Sequence, residues 1–270
     1  MLGLIIIRPG QVMNSSTFDD VPRSIVARGH TLEDGYVVSP HQHRRGQLIS
    51  GTTGVMVLTT PEGTWVMPPQ RGMWIPPATP HGVKMVGTVS LQSLYLDPVA
   101  SAVMPERCQV VSISPFMRSL MTEALTLPLE YDLLGRAGAL MQLIQHEMQQ
   151  LRALPLSLPY PTHHLLAERC RQFMQNPSVH ETIDDWSNAL GMSRRAFTRF
   201  FRRETGLSLV AWRQQACLLY AMPRLAAGEP VSTVAMDLGY ENPAAFTMMF
   251  KRAFGSPPLT YLGIRNAGSH

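Results

Sequence analysis

The sequence predicts an α+β chain of two domains: an N-terminal β-barrel plus helices, and a C-terminal all-α domain. Three observations carry this. Short apolar runs broken by Gly, Pro and Thr fill residues 24–97, helical patterning replaces them from Ser114 onward, and AFTRFFRRETG at 196–206 returns as AFTMMFKRAFG at 245–255. With 270 residues, 45% hydrophobic and 16% charged, the chain can bury two cores and does not have a disordered composition.

Taken in order, residues 1–23 read as a flexible tail. MLGLIIIRPG lacks the basic flank of a signal peptide, Arg8 ends its apolar run too early to span a bilayer, and Met13 is an alternative start. Within 24–97, GYVVS, GQLIS, GVMVLTT, TWVMPP, GMWIPP and HGVKMV read as strands of a small barrel or sandwich. SPFMRSLMTEALTL opens a helix with Ser114 as cap and Pro115 in the first turn. A longer helix is expected over 130–152, where Leu134, Ala137, Met141, Ile144, Met148 and Leu151 form a seam spaced 3, 4, 3, 4, 3. The seam would serve a dimer contact or pack on the protein's own barrel, and 98–152 is assigned as a helical dimerisation segment. ALPLSLPYP, 153–161, has three prolines and no charge, so it reads as a stiff linker. From 162 to 262 the pattern is helical, with Thr182 and Asp185 at a capping position and Gly191, Gly206, Gly228, Gly239 and Gly255 at helix ends. Residues 263–270 form a C-terminal tail.

Three widely spaced cysteines with no CxxC pair argue against a disulfide framework or a zinc finger and fit a reducing cytoplasm. The net charge of +4 is uneven: residues 1–161 hold 11 Lys/Arg against 11 Asp/Glu, and 162–270 hold 12 against 8. Five arginines and no acid within 194–203 suit a phosphate backbone, although a solvated helix face has the same composition.

Each copy of the repeat follows a short helix ending in Leu-Gly, WSNALG or VAMDLG, which gives the helix-turn-helix layout. Phe197 and Phe201, like Phe246 and Phe250, are spaced i,i+4 and face a core. Arg195, Thr198 and Arg199 then share the opposite face, flanked by Arg194 and Arg202. In the second copy Ala244, Thr247 and Met248 hold those places, with Asn242 and Lys251 beside them. Arginine reads guanine or grips phosphate, whereas alanine, methionine and a threonine methyl offer mainly apolar contact. The first helix is therefore expected to discriminate bases and the second to position the protein on double-stranded DNA. Two copies in one chain would meet successive major-groove segments about 34 Å apart.

GEPVSTVAMDLGYENPAAFTMMFKRAFGSPPLTY resembles, over its whole length, the signature region of AraC/XylS-type transcription regulators. The resemblance covers 162–262 and places the family's base-contacting positions on Arg195, Thr198, Arg199, Ala244, Thr247 and Met248. Two departures stand out: Met248, where the family often has arginine, and Pro223, which should bend the helix joining the two units.

In SPHQHRRGQLISGTTG and PPATPH, His41, His43, Gln47 and His81 resemble the inward-facing residues of the cupin barrel, which can hold a divalent metal. On a strand, His41 and His43 would share a face. Gln47 stands where metal-binding cupins have Glu, and Ala78 replaces a turn glycine. Three readings stay open: a metal on His41, His43 and His81, an effector contacting the same histidines directly, or hydrogen-bonded relics. Trp65 and Trp74 are candidates to line an effector pocket, or core. The resemblances together imply an effector-sensing regulator of nearby genes, such as a transporter or catabolic gene. It would act as a homodimer without a membrane, and with RNA polymerase as a partner if it activates. The rival reading is a cupin-type metal-dependent enzyme fused to a helix-turn-helix domain; against it, no further acid-base constellation lies on the barrel strands.

Overall fold

The computed structural model describes residues 5–7, 18–154 and 156–263. Its strands are β1 (Ile5–Ile7), β2 (Ile25–Leu32), β3 (Val37–His41), β4 (Gly46–Gly51), β5 (Val55–Thr60), β6 (Gly63–Met67), β7 (Arg71–Ile75), β8 (His81–Val86), β9 (Val89–Leu96), β10 (Gln109–Ser112), β11 (Arg152–Ala153) and β12 (Ser157–Pro159). Its helices are α1 (Pro98–Ser101), α2 (Pro115–Ala124), α3 (Arg136–Met148), α4 (His164–Gln175), α5 (Ile183–Ala189), α6 (Arg194–Thr205), α7 (Leu209–Ala226), α8 (Val231–Asp237), α9 (Pro243–Phe254) and α10 (Pro258–Leu262). Two compact units result: Met1–Thr60 with Met67–Leu156, and Pro61–Val66 with Ser157–His270. Among the described residues no helix is long and apolar enough to cross a membrane.

In the first unit one sheet runs β1-β2-β9-β4-β7-β10-β11, and β3, β8 and β5 pair in a second. Side-chain alternation assigns the two faces of the first sheet. Gln47 lies opposite Tyr95 and faces inward, whereas Leu48 lies opposite Leu94 and Trp74 and faces outward. That outer face is not bare: Leu48, Trp74 and Leu94 share one buried core with Met117 and Met121 of α2 and Met141, Ile144 and Met148 of α3. Strand and helix are thus buried together, and β4 is buried along its whole length.

Three expectations change here. The seam assigned to dimerisation is consumed by this core, with Ala137 and Leu151 packed against it. Leu134 lies outside α3 and is 99% exposed. The helix starts at Arg136 after Gly135, and Gly138 lets the Leu133 carbonyl approach within 2.0 Å of where a Cβ would stand. Nor is 98–152 purely helical, since β10 and β11 extend the sheet. The tail is also partly structured: Ile5–Ile7 pair parallel with His30–Leu32. Residues 18–24 are held by Arg45, whose guanidinium donates to the carbonyls of Phe18 at 2.7 Å, Val21 at 2.6 Å and Arg23 at 2.9 Å. Met13 and residues 264–270 lie outside the described residues.

The proline-rich 153–161 is not a bare linker. β12 pairs antiparallel with β6, setting Leu158 opposite Thr64 and Pro159 opposite Gly63. Proline suits such an edge strand because the missing N–H need not join a ladder. The strand is tied onward within the second unit: the Trp212 indole N–H donates to Pro159 O at 2.9 Å, and the Tyr160 N–H to Glu62 O at 3.1 Å.

The rest of the second unit is helical. Phe173, Trp186, Phe197, Phe201 and Trp212 interlock as one aromatic core, with ring centroids 5.6–6.5 Å apart. Tyr240, Phe246, Phe250, Phe254 and Tyr261 form the equivalent for the second copy. Ser193 caps α6, Thr182 and Asp185 form a full capping box on α5, and Gly206 and Gly255 close α6 and α9 at φ of 74° and 82°. Gly191 and Gly239 stand 48 residues apart but Gly206 and Gly255 stand 49 apart, so the second turn carries one extra residue. α7 runs through Pro223 and ends three residues later, so the missing N–H deprives Leu219 O of its i+4 donor one turn before the end.

Candidate functional site

On α6, burying Phe197 and Phe201 leaves Arg195, Thr198, Arg199 and Arg202 exposed on the far side. Arg195, Arg199 and Arg202 have no ion-pair partner among the described residues. Arg194 differs, because its guanidinium forks onto the Asp184 carboxylate of α5. The Thr198 hydroxyl turns back to donate to Arg194 O at 2.8 Å, which leaves its methyl group outward. On α9, Ala244, Met248 and Lys251 are exposed, Met248 at 67%, while Thr247 is half-buried. Asn242 caps the helix, its Oδ1 accepting from the Ala244 N–H at 2.8 Å. At the matched positions the two surfaces are thus chemically unlike: α6 carries guanidinium groups at 195, 199 and 202 where α9 carries Ala244, Met248 and Lys251.

The second site lies in the first unit. His41, His43 and His81 bring their ligand atoms within 4.8 Å of one another. The reason is not the one the sequence suggested. β3 ends at His41 after a register irregularity between Val38 and His41, and His43 stands in the following loop, so shared strand parity does not unite them. His81 begins β8 directly opposite His41. The loop is fixed by the Ala78 N–H donating to His43 O at 2.9 Å, with Ala78 itself at φ 55°.

Hydrogen bonding fixes the tautomers. Each Nδ1 faces a backbone carbonyl, Ser39 O for His41 at 2.9 Å, Arg45 O for His43 at 2.5 Å and Thr79 O for His81 at 2.8 Å. A carbonyl only accepts, so each Nδ1 carries the proton and each Nε2 of a neutral ring offers a lone pair. Burial lowers His43 from its ordinary value and takes His81 down to about 4, so both rings are neutral at physiological pH. Yet His43 Nε2 lies 3.2 Å from Gln47 Oε1 while Gln47 Nε2 donates to Ser93 Oγ at 2.9 Å and to the Tyr95 hydroxyl at 3.2 Å. Two lone pairs therefore face each other. A cation between them relieves the conflict, as does a half-turn of the amide. Tyr95, pushed up to about 12 by burial, keeps its proton, and its ring contacts His43 at 5.4 Å and Phe18 at 5.2 Å.

Trp74 is corrected. It points to the outer face, fully buried beside α2 and α3, with its indole N–H donating to Pro105 O at 2.8 Å, so it does not line the histidine site. Trp65 stands on β6 opposite Ser157, buried in the second unit. Sequence reading missed Ser93 and Tyr95, although VSLQSLYL alternates in a way that puts both on one face. Arg45 gave no such signal.

A model of AraC-like ligand-binding domains matches residues 26–151, strands and helices together, and a helix-turn-helix domain model matches 186–263. The HTH-type transcriptional regulator NimR of Escherichia coli K12 is 31% identical over 233 residues, covering 86% of this chain and 85% of NimR. The arabinose operon regulatory protein of the same organism is 27% identical over 118 residues, 41% of this chain and 39% of its own. Among solved structures, fatty-acid-bound ToxT from Vibrio cholerae covers 93% of this chain and 99% of its own, at 10% identity and a TM-score of 0.37.

Proposed function

The chain belongs to the AraC-type transcription regulators, and from that premise we propose that it binds operator DNA through α6 and α9 and senses a small molecule through a divalent ion held by His41, His43 and His81. Membership in a family of regulators sets the enzyme reading aside. Arg195, Arg199 and Arg202 supply base and phosphate contacts; Ala244, Thr247, Met248 and Lys251 fit the second groove segment by shape and charge. Arg194 and Asn242 hold the helices that carry these residues.

The metal part rests on one observation: three buried or half-buried histidines have every Nδ1 fastened to a carbonyl, which leaves the Nε2 lone pairs of His41 and His81 to a ligand and sets that of His43 3.2 Å from Gln47 Oε1. Imidazole suits zinc, iron, copper or nickel, and the Gln47 amide oxygen is a neutral fourth donor. When bound, such an ion supplies a fixed positive charge with positions open to an electron-rich effector. Two copies of the chain would double the operator contacts, but not through the Met141–Ile144–Met148 seam, which is already buried. The protein would act in the cytoplasm on neighbouring genes such as a transporter or catabolic gene, touching RNA polymerase where it activates.

Chelator-treated full-length protein reconstituted with zinc, then desalted, tests the site. About one metal per chain is expected in the wild type, and less than a tenth of that in a His41→Ala/His81→Ala double variant. Equal metal in both would overturn the ligand set. Footprinting on the DNA upstream of the protein's own coding region tests operator binding separately.

A further inference from the structure

Val210, Arg213, Gln214 and Cys217 follow one face of α7 at i, i+3, i+4 and i+7. They form one wall of a partly open cavity of about 220 Å³, bounded on the other side by Val179 and Tyr240. Val179 belongs to the loop before α5, and its N–H donates to Leu238 O at 3.0 Å, at the end of α8; Tyr240 lies in the turn before α9. The cavity therefore sits where the two helix-turn-helix units meet.

Its electrostatics are one-sided. Nε and Nη1 of Arg213 are buried with no hydrogen-bond partner, and no carboxylate lines the cavity. The acids whose fields reach this corner are already occupied: Asp185 accepts from the Thr182 N–H and hydroxyl, and Glu181 pairs with Arg169. Burial pushes Cys217 and Tyr240 up to about 12, so neither supplies an anion at physiological pH. Arg213 is half-buried, and its two buried donors are costly to leave unmade; an anion in the cavity that turns the guanidinium toward it would satisfy them.

We propose that this cavity binds a small organic monocarboxylate, its oxygens on Arg213 and its apolar part against Val179 and Val210. The volume is about seven times that of one water, more than a bare oxyanion needs, and the buried donors are withdrawn from a DNA backbone passing outside. Occupancy would brace the junction and so alter how the two recognition helices fit one operator. Binding at this site does not depend on the proposed metal or operator contacts.

The test is calorimetry on chelator-treated full-length protein without DNA, with benzoate as the probe and benzyl alcohol and inorganic phosphate as comparisons. One benzoate per chain is expected, with benzyl alcohol and phosphate each at least about tenfold weaker. Arg213→Gln should weaken benzoate at least about tenfold, and Arg213→Lys should restore part of the affinity. Phosphate binding as tightly as benzoate, undiminished benzoate binding by Arg213→Gln, or no saturable benzoate binding up to about 10 mM overturns the assignment. Should Arg213→Gln fail to fold, the benzoate and benzyl alcohol comparison on the wild type decides.

Discussion

Arg194 of α6 and Asp184 of α5 form a two-pronged ion pair, Nε to one carboxylate oxygen and Nη2 to the other, across the turn of the first helix-turn-helix unit. The pairing lowers the Asp184 carboxyl and raises the Arg194 guanidinium from their ordinary values. One of the five clustered arginines is thus paired to the neighbouring helix. Arg194→Ala and Asp184→Ala should weaken operator binding to similar degrees, and the double variant should lose no more than the worse single. Additive losses in a gel-shift cycle would show Arg194 acting on DNA directly.

Arg199 and Met248 occupy corresponding places on α6 and α9, and both are exposed. Arg199→Ala should cost about 1–3 kcal/mol at its cognate base pair and relax preference there. Met248→Ala should cost less and leave the preference profile unchanged. Selection of binding sites from a randomised operator measures both.

The aromatic pairs, glycine stops and the Thr182–Asp185 cap were legible because each is set by local spacing. The Asp184–Arg194 pair was not, since it depends on how α5 crosses α6. In the 134–151 seam, periodicity shows that a face is buried but not what covers it, and the protein's own sheet does so. In 153–161 the stretch around Pro159 is extended, and extended chain becomes a strand once an edge such as β6 is offered. At the histidine site the residues were readable, whereas the carbonyls that orient the rings come from a loop path that no motif encodes.

The Asp185 carboxyl is held below its ordinary range, first by the Thr182 N–H and then by the Thr182 hydroxyl. A folded value depressed in this way gives stability that is full above the ordinary carboxylate pKa and disappears as pH falls through the folded one. Asp185→Asn should lower Tm at pH 7, and the gap should close progressively below about pH 4. A gap of constant size at every pH would assign the effect to shape alone.

Gly46 faces Trp74, and a Cβ there would come within 2.3 Å of the indole and 2.7 Å of Ser101 Oγ. Gly46→Ala should destabilise the first unit by about 1–3 kcal/mol, read by denaturant unfolding. It should leave zinc stoichiometry unchanged, because Trp74 lies on the outer face, away from the histidines.

Linkage between the two ends of the protein is the most direct test of the whole account. Zinc affinity should be measured by competition with a chelator, for the free chain and for the chain on its operator. If the histidine site governs DNA binding, the two zinc constants should differ by about 5- to 150-fold, and zinc should change operator affinity by that same factor. Identical zinc constants with and without operator would contradict it.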